Sequence, residues 1–239
     1  MVRVLVLMLL LLASRAQGSA QDARAHFDEG RARLAEGDQA GARAAFLRAV
    51  DASPTWILPW IELGELAVAR REGVREAREG LLALDAPVGN PRFFRVLGDL
   101  AELDGDDAAA VAAWRTSLEA DGRQDELRLR RAAALERLGR PAEAAEEYAR
   151  ILASQPADRV VLARHAHALE AAGDFEAARA ALEALVRLQP GKEIPLRRLA
   201  RFLERRGAHE EARRVHAEAD RAANKGPPRK MRPLPPSSR

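Results

Sequence analysis

Residues 173–190 read GDFEAARAALEALVRLQP, an alanine-rich amphipathic stretch that starts at a turn glycine and ends at a proline. The same eighteen-residue frame occurs at 37–54, GDQAGARAAFLRAVDASP, and at 139–156, GRPAEAAEEYARILASQP. Small and large apolar side chains at fixed offsets are typical of helices that pack closely on one another. Proline ends such a helix because it lacks the backbone N–H that a helix interior needs. The three stretches therefore predict a repeated helical unit.

Turn glycines recur along the chain at spacings of 36, 32, 34, 34 and 34 residues. Only the second glycine leaves the period, by two residues. From this shift we expect the second repeat to have a long first helix, a clipped second helix and a local change of superhelix curvature near residues 71–90. The glycines are Gly37, Gly73, Gly105, Gly139, Gly173 and Gly207.

A 34-residue period of paired helices resembles the tetratricopeptide (TPR) repeat. The resemblance covers residues 23–224 and implies an all-α, right-handed α-solenoid of six tandem helix-turn-helix repeats. The last helix, which has few large apolar residues, is expected to serve as a polar cap. The family's small, large and proline positions are filled by Gly30, Ala42, Phe46, Ala49 and Pro54 in the first repeat, and by Gly98, Ala110 and Trp114 in the third.

The N-terminus has the layout of a secretory signal peptide. Arg3 precedes a ten-residue apolar run, residues 4–13, and small residues then allow cleavage after Ala16 or Ala20. A membrane-spanning helix needs about 20 apolar residues, so ten are too few for a span. We therefore expect a signal peptide at 1–20, a periplasmic or secreted protein, and no membrane span after cleavage. An uncleaved N-terminus, on a membrane-anchored or cytosolic TPR adaptor, is the alternative.

Charge is distributed unevenly between the body and the C-terminal tail. Residues 21–224 hold 32 basic and 36 acidic side chains, whereas residues 225–239 hold five basic and no acidic ones. The acidic body argues against a nucleic-acid-binding domain, although the chain's pI is 9.9. The tail is also proline-rich, so we expect 225–239 to be disordered. Weak binding of nucleic acid or another anionic surface through this tail is a further alternative.

No catalytic or metal-binding motif is found in the sequence. The chain has no cysteine, which excludes thiolate catalysis, disulfides and cysteine-based zinc sites. His209 and His216 are seven residues apart, two helical turns, which is too far to chelate one ion. The many acidic residues are interpreted as a solvated helical face that pairs with arginines at i,i+4. The sequence thus predicts no enzyme, no cofactor, no metal and no small-molecule substrate.

The family resemblance implies that the first helices of successive repeats line a concave groove for a peptide segment of a protein partner. The carboxylate clamp of chaperone adaptors is not expected, because its first-repeat positions hold Phe27 and Arg31. We therefore expect a non-catalytic, exported scaffold, such as an assembly factor of an envelope, pilus or secretion complex. The groove positions are Leu58, Ile61 and Glu65 in the second repeat, Arg92, Arg95, Asp99 and Glu102 in the third, Leu129, Ala133 and Glu136 in the fourth, and Arg197, Arg201 and Arg205 in the sixth.

Overall fold

The structure, a computed structural model, describes the backbone of residues 2–85 and 89–224 and the side chains of residues 19–85 and 89–224. Within these ranges every regular element is an α-helix and no strand occurs, which confirms the predicted all-α fold. The chain divides into two compact units, Met1–Leu138 and Gly139–Arg239. The predicted tail at 225–239 lies outside the described residues, as do the side chains of most of the predicted leader.

The first unit contains seven helices within the described residues, and each one packs on the next along the chain. The first of them starts at residue 2, so its backbone is helical through the residues predicted to form a leader. Cleavage of that leader stays a prediction. The helices are α1 (Val2–Ala35), α2 (Gln39–Ala52), α3 (Ile57–Arg70), α4 (Val74–Leu82), α5 (Pro91–Leu103), α6 (Asp107–Ala120) and α7 (Asp125–Arg137).

The second unit contains five helices within its described part, and they too pack in chain order. Its core is built mainly from alanine and leucine, among them Ala166, Ala178, Leu182 and Leu203. The final helix buries only Ala212 and Ala219. Its remaining surface is largely polar, as predicted for a cap. The helices are α8 (Pro141–Ser154), α9 (Arg159–Ala172), α10 (Phe175–Leu188), α11 (Glu193–Arg205) and α12 (His209–Asn224).

Small residues let the paired helices approach closely, as the repeat markers predict. A Cβ atom on Gly98 of α5 would lie 2.4 Å from Cδ1 of Trp114 on α6, and one on Gly30 would lie 2.4 Å from the Phe46 ring. Such distances are sterically forbidden, so only glycine allows the large ring to fill the space between the two helices. Trp114 and Phe46 are consequently fully buried.

The second hairpin differs from its prediction in one respect and agrees in another. α4 has nine residues and is clipped as predicted, but α3 has 14 residues and is not long. The prediction was wrong because α3 is terminated by its C-cap residue Arg71, which takes the left-handed conformation (φ 56°, ψ 34°) without being glycine. Arg71 lies 34 residues from both Gly37 and Gly105 and therefore holds the true turn position of the repeat. Gly73, also at positive φ, is an additional residue that precedes α4.

The clipped α4 is accompanied by direct packing of α5 on α3. Val96 of α5 approaches Gly64 of α3 so closely that a Cβ atom on Gly64 would lie 2.4 Å from Val96 Cγ1. Phe93 and Val96 join side chains of α3 and α4 in one apolar cluster. This cluster decides which residues of α3 stay accessible to a partner.

Candidate interaction surfaces

A row of ion pairs joins the first helices of the hairpins in the first unit. The guanidinium of Arg92 on α5 donates to both carboxylate oxygens of Glu65 on α3, at 3.0 and 2.6 Å, and to Glu62 at 3.0 Å. Arg95, one turn further along α5, donates to Glu65 at 2.5 Å. Two arginines of α5 thus bind two glutamates of α3, the first helix of the preceding hairpin.

The row continues from α5 to α7. Arg130 of α7 lies 2.9 Å from Asp99 and 2.7 Å from Glu102, both on α5. Arg137, near the end of α7, pairs with Glu102 at 3.2 Å and with Asp107 at 2.5 Å. The pairs therefore link three successive first helices, and we call them the ion-pair row: Glu62, Glu65, Arg92, Arg95, Asp99, Glu102, Arg130 and Arg137.

Asp99 is the buried member of the ion-pair row. Its side chain is only 3% exposed and accepts a hydrogen bond from Nε1 of Trp114 at 2.9 Å. Arg130 lies over the same indole ring, 4.8 Å from its centroid. Burial raises the pKa of Asp99, against the opposing influences of Arg130 and the indole N–H. Asp99 therefore supports the face from within, whereas the arginines lie at its surface.

Glu65 and Arg92 of the row favour each other's ionised forms. Burial works against ionisation of Glu65, but the hydrogen bonds and charges of Arg92 and Arg95 outweigh it and lower the pKa of Glu65. The pKa of Arg92 is raised in turn, mainly by its hydrogen bonds to Glu65. The face of α3, α5 and α7 is consequently ordered and close to electrically balanced.

Several of the predicted groove positions are accessible in the structure, whereas Ile61 and Asp99 are buried, so the prediction was wrong for these two. Leu58 is 39% exposed, and Leu129 and Ala133 are half-buried, so all three are accessible. Ile61 is wrong as a groove residue, because it is fully buried. It lies in the apolar cluster with Phe93 and Val96, the side chains that cover α3 where α5 packs on it.

In the second unit the corresponding positions lie on α9 and α11. Arg197 of α11 is half-buried and pairs with Glu193 at 2.6 Å and Asp220 at 2.9 Å, whereas Arg201 is exposed. Arg205 of α11 donates to both carboxylate oxygens of Glu170 on α9, each at 2.7 Å. The Arg205–Glu170 pair shows that α9 and α11 are neighbours.

The sequence analysis missed Glu62, Arg130 and Arg137 of the ion-pair row, and Arg164 and Arg198 on α9 and α11. It expected pairing within helices, whereas the pairs of the row join helices at separations of 27 to 35 residues, apart from the Arg95–Asp99 pair. An acid and an arginine separated by about one repeat were the signal that could have found Glu62, Arg130 and Arg137, because such residues lie on neighbouring first helices.

In the part of the chain whose side chains are described, no group of three or more histidine, aspartate or glutamate side chains is arranged to hold a metal ion. No helix in the same residues has the length and apolar character needed to cross a membrane.

Comparison with known proteins agrees with this architecture. Residues 10–55 and 164–227 match the family model described as Tetratricopeptide repeat. Comparison with curated proteins gives no significant match.

Several solved structures share the fold. The crystal structure of MamA is 17% identical, with a TM-score of 0.59 over 71% of this chain and 92% of MamA. YrrB, described as a TPR protein with an unusual peptide-binding site, is 16% identical, with a TM-score of 0.57 over 76% of this chain and 93% of YrrB. MamA from Desulfovibrio magneticus RS-1 is 18% identical, with a TM-score of 0.51 over 69% and 93% of the two chains. The family match and these neighbours together support a tetratricopeptide repeat protein.

Proposed function

We propose that this protein is a non-catalytic interaction scaffold that binds a peptide segment of a partner protein on the exposed faces of its first helices. The observation that carries the proposal is the ion-pair row. Glu65, Arg92 and Arg95 remain 32 to 40% exposed, yet each is held by partners on a neighbouring helix. Side chains that are accessible and already ordered lose less conformational freedom when a ligand binds. YrrB, with the same fold, is described as having a peptide-binding site.

A selection from a random peptide library displayed on phage tests this function on the purified protein. We expect enrichment of peptides that bind reproducibly and that carry the selected sequence features when resynthesised. A photo-reactive group in each peptide then cross-links it to its site, which mass spectrometry locates. Cross-links should fall on α3, α5, α7, α9 or α11. A selection that enriches no peptide above the blank surface would refute the scaffold function, and cross-links confined to the second helices would refute the location.

We further propose that the scaffold works outside the cytoplasm, in a bacterial envelope. Support comes from the sequence alone, in the basic start, the short apolar run and the small residues before Ala16 and Ala20. An intact-mass measurement on protein from its native host should show a chain shortened by sixteen or twenty residues. A full-length soluble species in the cytoplasm would contradict export, and a full-length species in the membrane fraction would favour the uncleaved anchor.

Within an envelope, assembly of a secretion, pilus or envelope complex is the role that we propose for the scaffold. This role rests on analogy of fold alone. Co-purification of the tagged, processed protein with components of one such complex would test it. In a matched strain whose protein carries charge-reversed residues in the ion-pair row, those components should no longer co-purify and the complex should fail to assemble.

A further inference from the structure

We propose that the exposed face of α9 and α11 docks an acidic segment of a partner protein that also carries aliphatic side chains. This inference rests on the proposed scaffold function and names the chemistry of its ligand. The face is formed by the residues that hold the groove register of these two helices. We call them the α9/α11 face: Val160, Arg164 and His167 on α9, and Ile194, Arg198 and Arg201 on α11.

Comparison by repeat register shows how α3 differs in charge from α9 and α11. Arg164 and Arg198 lie three and four periods of 34 residues after Glu62 of α3, so they hold the same register position in the second unit. The position of Glu65 is held by His167 and Arg201 in the same way. The acids of α3 that pair with arginines of α5 are therefore replaced on α9 and α11 by basic side chains.

The acids that remain near the α9/α11 face are already engaged. Glu170 binds Arg205, Glu193 binds Arg197, and Glu204 lies 3.1 Å from His216. Among the described residues, no carboxylate lies within ion-pair distance of Arg164, Arg198 or Arg201, and all three are exposed. Three guanidinium groups are therefore available to acidic groups of another molecule.

Aliphatic side chains complete the face. Val160 is 66% exposed and Ile194 is 68% exposed, and they occupy the same register position of successive first helices. They are the two most exposed large hydrophobic residues of the second unit within its described part. Covering such side chains removes apolar area from water, which favours binding of a ligand with its own aliphatic groups.

A protein segment suits this face better than a nucleic acid does. Nucleic-acid surfaces rely on dense phosphate contacts and on aromatic rings that stack with bases. The α9/α11 face offers three arginines and His167 beside two β-branched aliphatic side chains, and it contains no phenylalanine, tyrosine or tryptophan. Aspartate or glutamate for the arginines, with leucine, isoleucine or valine for Val160 and Ile194, is the complementary chemistry.

The test uses the full chain and two triple variants with the same change of charge. One variant carries Arg164→Glu, Arg198→Glu and Arg201→Glu. The control carries Arg187→Glu, Arg213→Glu and Arg214→Glu, which are exposed arginines on α10 and α12. Circular dichroism establishes that both variants keep their helical content.

The probes are the peptides that a random library selection enriches on the unaltered chain. We expect those peptides to be rich in acidic and aliphatic residues. The Kd should rise about tenfold or more in the α9/α11 triple, and change by less than about threefold in the control triple. Binding should also weaken as the Debye length shrinks from about 10 Å at 0.1 M salt to about 3 Å at 1 M.

A second pair of variants tests the aliphatic part. Val160→Ser with Ile194→Ser should weaken peptide binding about threefold or more, whereas Leu188→Ser, at an exposed position on α10, should not.

Each remaining outcome separates this inference from the scaffold function. Enriched peptides without an acidic bias, or equal loss of binding in both triples, would overturn the α9/α11 assignment and leave the scaffold function standing. Polyglutamate or single-stranded DNA that competes as well as the peptides would also overturn it, because charge alone would then explain binding. A selection that enriches no peptide at all would remove both.

Discussion

Replacing Arg71 by glycine should stabilise the protein, although it removes a whole side chain. Arg71 ends α3 with φ 56° and ψ 34°, the left-handed region that L-residues avoid. The side chain is exposed, and none of the described carboxylates pairs with it. The substitution therefore relieves backbone strain and removes little packing.

The magnitude follows from two opposing terms. A left-handed conformation costs an L-residue about 1–2 kcal/mol, and glycine escapes that cost. Glycine also gives the unfolded chain more conformational freedom, which takes back about 0.4–1 kcal/mol. The net gain should be about 0.5–1 kcal/mol, which raises the Tm by about 1–4 °C for a chain of this size.

Thermal and urea unfolding, followed by far-ultraviolet circular dichroism, provide the assay, and two matched variants provide the controls. Arg164→Gly makes the same chemical change in the exposed middle of α9 and should lose about 0.5–1 kcal/mol. Gly105→Arg makes the reverse change at the next turn, where φ is 78° and the space around a Cβ is open, and should lose a similar amount. A lower Tm for Arg71→Gly, equal to that of Arg164→Gly, would refute the assignment of Arg71 as the strained turn residue.

Three more predictions concern the packing and the ion pairs. Gly98→Ala should lose about 1–3 kcal/mol in urea unfolding, because its Cβ would meet Trp114 at 2.4 Å, whereas Gly122→Ala, whose nearest neighbour lies at 3.4 Å, should change little. Asp99→Ala should lose about 2–3 kcal/mol, because the buried indole N–H is left without an acceptor; equal stability of the variant and the parent would contradict this. The pKa of Glu65 lies below its ordinary value of 4.5, so its contribution is complete above that pH and lost as the pH falls through the lower folded-state value. Acid unfolding of Glu65→Gln should accordingly be less steep than that of the parent chain.

The hairpins could be predicted from sequence because their signals are local. Steric limits that hold in any repeat of this kind require glycine at the turns and small residues opposite Phe46 and Trp114. Arg71 could not be recognised in that way, since an arginine in the left-handed region has no sequence signature. Gly73 was therefore taken for the turn residue in place of Arg71, so the period was interpreted as irregular in the second repeat and the length of α3 was predicted wrongly.

The candidate surface could be predicted by position but not by exposure or pairing. Register alone puts Ile61 and Arg95 at equivalent positions, yet Ile61 is buried and Arg95 is 36% exposed. The difference arises from how closely α5 approaches α3, which is a property of packing between elements. Pairing of Arg92 with Glu62 and Glu65 likewise depends on the distance between two helices, which no single-helix pattern contains.

The clipped α4 has a consequence for how often part of the surface is available. α4 starts from Gly73 without a side-chain cap and contains Gly80, so its own sequence stabilises the helix weakly. It should therefore unfold locally more easily than α3 or α5. Its amide hydrogens should accordingly exchange with solvent faster than theirs. Ala77 and Leu81 of α4 belong to the same apolar cluster as Ile61, and local unfolding of α4 would take these two side chains away from Ile61. The population of open α4 would then set an upper limit on the fraction of molecules in which a ligand can reach Ile61 from that side.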